Sequence, residues 1–124
     1  MLKKIATNNA PGAIGPYSQA VEIENLVYTS GQMGMTPDGV VPEGVEAQSR
    51  QAMENIKNVL AAAGLGMDRV IKSLVFLKDM KDFAAFNKIY AEYMTGDVLP
   101  ARSCVQVAAL PKDALVEIEV IAKK

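Results

Sequence analysis

The spacing of hydrophobic positions changes along the chain, and the changes divide it into elements. In QAVEI (residues 19–23) and LVYTS (26–30) apolar and polar residues roughly alternate, with Glu24 and Asn25 between the two runs. Alternation sends successive side chains to opposite faces of a strand, so this stretch predicts a hairpin. From Val45 to Ala63 the period lengthens: Ala52, Met53, Ile56, Val59, Leu60 and Ala63 recur three and four apart, and Gly64 follows. That is one amphipathic helix with a glycine stop. RVIKSLVFL (69–77) is apolar and β-branched, which predicts a strand. Asp79 or Asp82 then caps a second helix whose stripe is Phe83, Phe86, Tyr90, Tyr93 and Met94, ended by Gly96 and Pro100. A period of two returns in ARSCVQVA (101–108) and ALVEIEVIA (114–122).

With a short strand at LKKIAT, the order is βββαβαββ over a single domain, residues 1–124. It predicts an α+β fold with two helices on one face of a sheet. NNAPGAIGPYS (8–18) holds too much proline and glycine for regular structure, yet carries Ile14 and Tyr17, so it reads as an ordered loop. GQMGMTPDGVVPEG (31–44) reads as a turn-rich crossing.

The last two strands, taken as an antiparallel pair, fix a two-faced sheet. Ser103, Val105 and Val107 would join Val116, Ile118 and Val120 under the helices. Arg102, Cys104 and Gln106 would then share the other face with Leu115, Glu117, Glu119 and Ile121. Charged groups beside leucine and isoleucine predict a face covered by another copy of the chain, with polar clefts at the seams.

Composition narrows the chemistry. The net charge is −1 with lysines and arginines scattered, so no basic footprint for nucleic acid is present. No apolar run approaches the roughly 20 residues that span a bilayer, and none follows Lys3 and Lys4 as in a secretory signal. A cytoplasmic location without membrane association is expected. There is no histidine, which removes Ser-His-Asp triads, Cys-His dyads and histidine metal sites. The single cysteine, Cys104, excludes an intrachain disulfide. Proton transfer is left to Glu, Asp, Tyr, Cys, Lys or water. By pattern alone Arg102 is a surface or ion-paired arginine as readily as a ligand, Glu117 and Glu119 a solvated strand face, Cys104 a small buried hydrophobe and Tyr17 a loop anchor. Function stays open at that level.

Four strings carry more. GPYSQA (15–20), VYTSGQ (27–32), FNKIY (86–90) and PARSCVQVAALPKDALVEIEVIA (100–122) together resemble the RidA family, also called YjgF/YER057c/UK114. The resemblance implies a chorismate-mutase-like fold and a homotrimer with sites between subunits. It implies hydrolysis of reactive 2-imino acids, such as 2-iminobutanoate and 2-iminopropanoate, to 2-oxo acids and ammonia, with no cofactor. By the same resemblance Arg102 holds the substrate carboxylate and Glu117, rather than Glu119, activates water. Tyr17, Ser30, Gly31, Asn87 and Cys104 bind substrate, Cys104 chiefly through its backbone. Met94 and Leu99 stand where aromatic residues are common in the family. A hairpin count sets Glu117 some distance from Arg102, which calls for a bulge or a contribution across subunits. A non-catalytic regulator that binds small carboxylates, or a chaperone-like protein, is the alternative.

Overall fold

The computed structural model describes residues 1–124. Strands β1 (Lys3–Ile5), β2 (Ala20–Ile23), β3 (Leu26–Thr29) and β4 (Gln32–Met33) precede helix α1 (Val45–Ala62). Strand β5 (Val70–Leu77), helix α2 (Phe83–Tyr93), and strands β6 (Ala101–Gln106) and β7 (Val116–Lys123) follow. One sheet runs in the order β1-β2-β3-β7-β5-β6, and β4 pairs with β7 beyond the end of β3. Both helices lie on one side, as the pattern predicts. No helix is long and apolar enough to cross a membrane.

The β2–β3 hairpin turns at Glu24-Asn25, and Glu24 takes the left-handed backbone such a turn requires (φ 53°). In α1 the stripe Ala52, Met53, Ile56, Val59 and Leu60 is buried, and Gly64 closes the helix at φ 78°. In α2 Phe86, Ile89 and Tyr90 are buried, with Met94 just past the end. Val116, Ile118, Val120 and Ala122 alternate into the same core, each contributing on the order of 1–3 kcal/mol by leaving water.

Buried amides do work that the apolar pattern misses. Asn55 on α1 is fully buried and donates to the carbonyls of Met33 (3.0 Å) and Met35 (2.7 Å). Gln48 donates to Pro42 O (3.0 Å) and accepts from Leu115 N–H (2.8 Å). Gln19 accepts from Thr7 N–H (2.7 Å) and donates to Pro11 O (2.7 Å), closing the loop of residues 8–18 on itself. Irregular backbone cannot satisfy its own polar groups, and these side chains supply the missing partners.

One expectation is overturned. Strands β6 and β7 do not pair: β5 lies between them, antiparallel to β7 and parallel to β6. A strand–helix–strand unit joins parallel neighbours, and α2 makes β5 and β6 such a unit. The nearly continuous apolar run of β5 takes the interior position, and the more polar β6 takes the edge. Register then reverses the face of β6. Ser73, Val75 and Leu77 point under the helices, and their row partners are Arg102, Cys104 and Gln106. Ser103 and Val105 face the open side, Val105 43% exposed. The expected face of Glu117 and Glu119 is the observed one.

Candidate functional site

Arg102 stands at the edge of the sheet, beneath α2. Its row partner Ser73 shares a 2.6 Å hydrogen bond with the Tyr90 hydroxyl. The Arg102 guanidinium carbon lies over the same tyrosine, 4.8 Å from the ring centroid, and 5.5 Å from that of Phe83. Contact with ring faces holds the flat group while leaving N–H donors free at its rim. The chain's ion pairs are Arg50–Glu92, Lys78–Asp113, Lys81–Asp79 and Lys124–Glu22, and none includes Arg102. A half-buried guanidinium without a carboxylate partner is built to receive an anion.

An open cleft of about 320 Å³ lies there, lined by Arg102, Asn87, Tyr90, Met94 and Leu99 among others. Asn87 Oδ1 is buried without a hydrogen-bond partner. Cys104 lies two residues beyond Arg102 on the same side and packs against the core. Burial pushes its thiol pKa up, against the smaller opposing pull of Arg102, so the thiol is protonated near neutral pH. Its backbone is better placed. Amides in a parallel strand alternate in direction, and Val107 N–H donates back to Leu77 O (2.9 Å). By that alternation the amides of Arg102 and Cys104 fall on the free outer edge of β6.

Glu117 belongs to a second cleft, of about 450 Å³, on the open face. Tyr17, Ser30, Gly31 and Glu119 line it with Ile14 and Pro111. The break between β3 and β4 creates its floor. Ser30 leaves the ladder, donating through N–H to Gln19 O (2.9 Å) and through its hydroxyl to Ser18 O (2.6 Å). Gly31 then passes so close to the Glu117 carboxyl that a Cβ there would collide with it. Tyr17 is 49% exposed, and its hydroxyl oxygen accepts from Ile14 N–H (3.3 Å). Burial raises the Glu117 pKa, and the Glu119 charge two residues along the same face adds to the rise.

The predicted residues therefore fall into two groups. Arg102, Asn87 and Cys104 gather under α2, while Tyr17, Ser30, Gly31 and Glu117 gather on the open face. Within one chain the groups do not meet. The Arg102 row and the Glu117 row are separated by β5 and three residues of register, about 10 Å in each direction, and the side chains leave opposite faces. Tyr90 and Phe83, read from sequence as core stripe, turn out to be the platform for Arg102. Their spacing of seven residues on one helix face is a visible signal, but only once β6 is placed under that helix.

Comparison with known proteins adds the chain's kinship. The family described as Endoribonuclease L-PSP matches residues 7–124. The 2-iminobutanoate/2-iminopropanoate deaminase of Escherichia coli K12 is 50% identical over 125 residues, covering 98% of each chain. The mouse protein of the same name is 49% identical over 122 residues, covering 97% of this chain and 90% of its own. Among solved structures, E. coli TdcF with bound serine superposes with a TM-score of 0.95 at 46% identity, covering 98% of both chains. The RidA resemblance read from four short strings thus holds across the full length, and the chain belongs to the Endoribonuclease L-PSP family, in which the RidA deaminases stand.

Proposed function

We propose that this protein hydrolyses 2-imino acids to 2-oxo acids and ammonia, with Arg102 binding the carboxylate and Glu117 activating water. The observation that carries the reading is the Arg102 guanidinium: half-buried, held on Tyr90 and Phe83, and free of any carboxylate in its own chain. A planar fork of donors in partial shelter matches a small carboxylate bidentately. The deaminase names of relatives at about 50% identity support the reaction class.

The reaction asks little of the protein beyond placement. The imine carbon is electrophilic already, more so when its nitrogen is protonated. Ionised Glu117 takes a proton from water as the water oxygen bonds to that carbon, giving a tetrahedral carbinolamine. Protonated Glu117 can return the proton to the nitrogen. The carbon–nitrogen bond then breaks, ammonia leaves, and the hydroxyl gives its proton to the again-ionised Glu117 as it collapses to the 2-oxo group. Burial, which raises the Glu117 pKa, makes it a stronger base than an exposed carboxylate. Tyr17, Ser30 and Gly31 would enclose the water side, Asn87 the substrate side, and the Cys104 amide would reach the substrate along the edge of β6.

Because the two groups sit on opposite faces, the working cleft is formed between copies of the chain, one supplying Arg102 and the next Glu117. A homotrimer, which the family resemblance implies, closes such a head-to-tail arrangement. Half-exposed Leu74, Phe76, Leu115 and Ile121 and the more exposed Val105 on the open face give it an apolar seam.

The test is to add the protein to a threonine dehydratase reaction and follow release of 2-oxobutanoate and ammonia. Faster release is expected; unchanged kinetics while free imine accumulates would defeat the proposal. Binding of 2-oxobutanoate without imine turnover would favour the carboxylate-binding regulator instead. The ribonuclease sense of the family description finds no support in a chain without histidine and with net charge −1.

A further inference from the structure

The Arg102 cleft is largely apolar beyond its guanidinium, and this bears on which imines the site prefers. Its volume is about 320 Å³, within the range of roughly 300–1,000 Å³ typical of small-molecule sites. Beyond Arg102, the side-chain polarity comes from Asn87 and the Tyr90 hydroxyl, and the latter is occupied by Ser73. The remaining wall is Ala91, Met94, Leu99 and Pro100. A ligand whose carboxylate rests on the guanidinium therefore meets mainly methyl and methylene groups.

Leu99 draws notice within that wall. It is 62% exposed, although it stands only three residues before Arg102 and lines the same cleft. One exposed leucine is ordinary, but one that lines an anion-receiving cleft offers its surface to whatever the anion carries. Met94 lines the same cleft beside it. Both side chains are flexible and aliphatic, and the thioether of Met94 adapts to irregular shapes.

Resting on the deaminase reading above, we infer that Leu99 and Met94 form a specificity wall that favours 2-imino acids with branched or extended aliphatic side chains over the four-carbon substrate. Each methylene seated on such a wall improves kcat/KM, up to about tenfold or more where the fit is close. Acidic or hydroxylated side chains gain nothing there, since each would give up water for carbon.

The test generates imines in place from leucine and from 2-aminobutanoate with an amino-acid oxidase. The readout is the ratio of the two kcat/KM values, measured for the intact protein and for Leu99→Phe and Leu99→Asn. The ratio for wild type should exceed one. It should fall about tenfold in Leu99→Phe, which narrows the wall, and similarly in Leu99→Asn, which keeps the branched shape but makes it polar. Leu99 lies outside the core, so neither change threatens the fold. If the phenylalanine variant turns over neither imine, the asparagine variant decides. A ratio unmoved in both active variants, or a wild-type ratio below one, would overturn the specificity wall while leaving the deaminase intact. A wild-type protein that hydrolyses neither imine would overturn both.

Discussion

The two clefts differ in how their key groups are held, and the difference assigns their roles. Arg102 is gripped by ring faces and pairs with no carboxylate of its own chain, so that cleft is preorganised but chemically unsatisfied. Glu117 is gripped by sterics and burial: Gly31 leaves room for its carboxyl and little else, and Glu119 opposes its charge. The first arrangement favours binding of an anion, the second favours taking up a proton. Neither is sufficient alone, and a carboxylate-bearing electrophile needs both.

The largest effect expected from breaking this contrast is at Arg102. Arg102→Ala should lower kcat/KM roughly a thousandfold, about 4 kcal/mol, as when one member of a sheltered charged pair is removed. Arg102→Lys should recover only part of that, because an ammonium keeps the charge but loses the bidentate fork. No ion pair is lost in either, so thermal stability should fall only by the ring contacts removed in Arg102→Ala, on the order of 1 kcal/mol.

Glu117→Gln should follow at about a hundredfold or more, expressed in kcat rather than KM. Wild-type kcat should fall at low pH as Glu117 is protonated, and the midpoint should lie above the ordinary glutamate range. Glu119→Gln should move that midpoint down by removing the like charge. The sign for stability is opposite to that for activity. A carboxyl whose pKa is higher folded than unfolded favours the native state below its unfolded pKa, and loses that contribution as pH rises through the folded one. Glu117→Gln should therefore raise the melting temperature slightly at pH 7 while sharply lowering turnover.

Asn55→Ala should cost about 2 kcal/mol of stability by leaving the Met33 and Met35 carbonyls unpaired, and denaturant titration would measure it. Because Gly31 leads directly into β4, activity at the Glu117 cleft should weaken with it, while carboxylate binding at Arg102 should hold. Gly31→Ala should act more narrowly, displacing the Glu117 carboxyl and lowering kcat about tenfold with the fold retained. Smallest of all, Arg50→Ala should leave the denaturation midpoint almost unchanged, since its pair with Glu92 is half exposed on both sides.

Much of the fold was legible because it rests on period. The α1 stripe, the hairpin at Glu24-Asn25 and the alternation of β7 follow from apolar spacing alone. The face of β6 did not: its valines suggested the helix-covered side, but Val105 faces the open side of an edge strand. Its position comes from the connection through α2, and only pairing with β5 sends Arg102 under the helices. Asn55, Gln48 and Gln19 were invisible for a related reason: an amide on a helix or loop reads as solvated until the backbone it serves is in place. Arg102 and Glu117 were found by resemblance, and the single chain explains each of them separately without joining them.

Whether neighbouring copies join them can be measured by mixing. Arg102→Ala and Glu117→Gln chains, each inactive alone, would be unfolded and refolded together in equal amounts. If each site takes its arginine from one subunit and its glutamate from the next, random assembly restores about a quarter of the sites, and activity should return to roughly that fraction of wild type. Mixtures as inactive as their separate components would contradict the account.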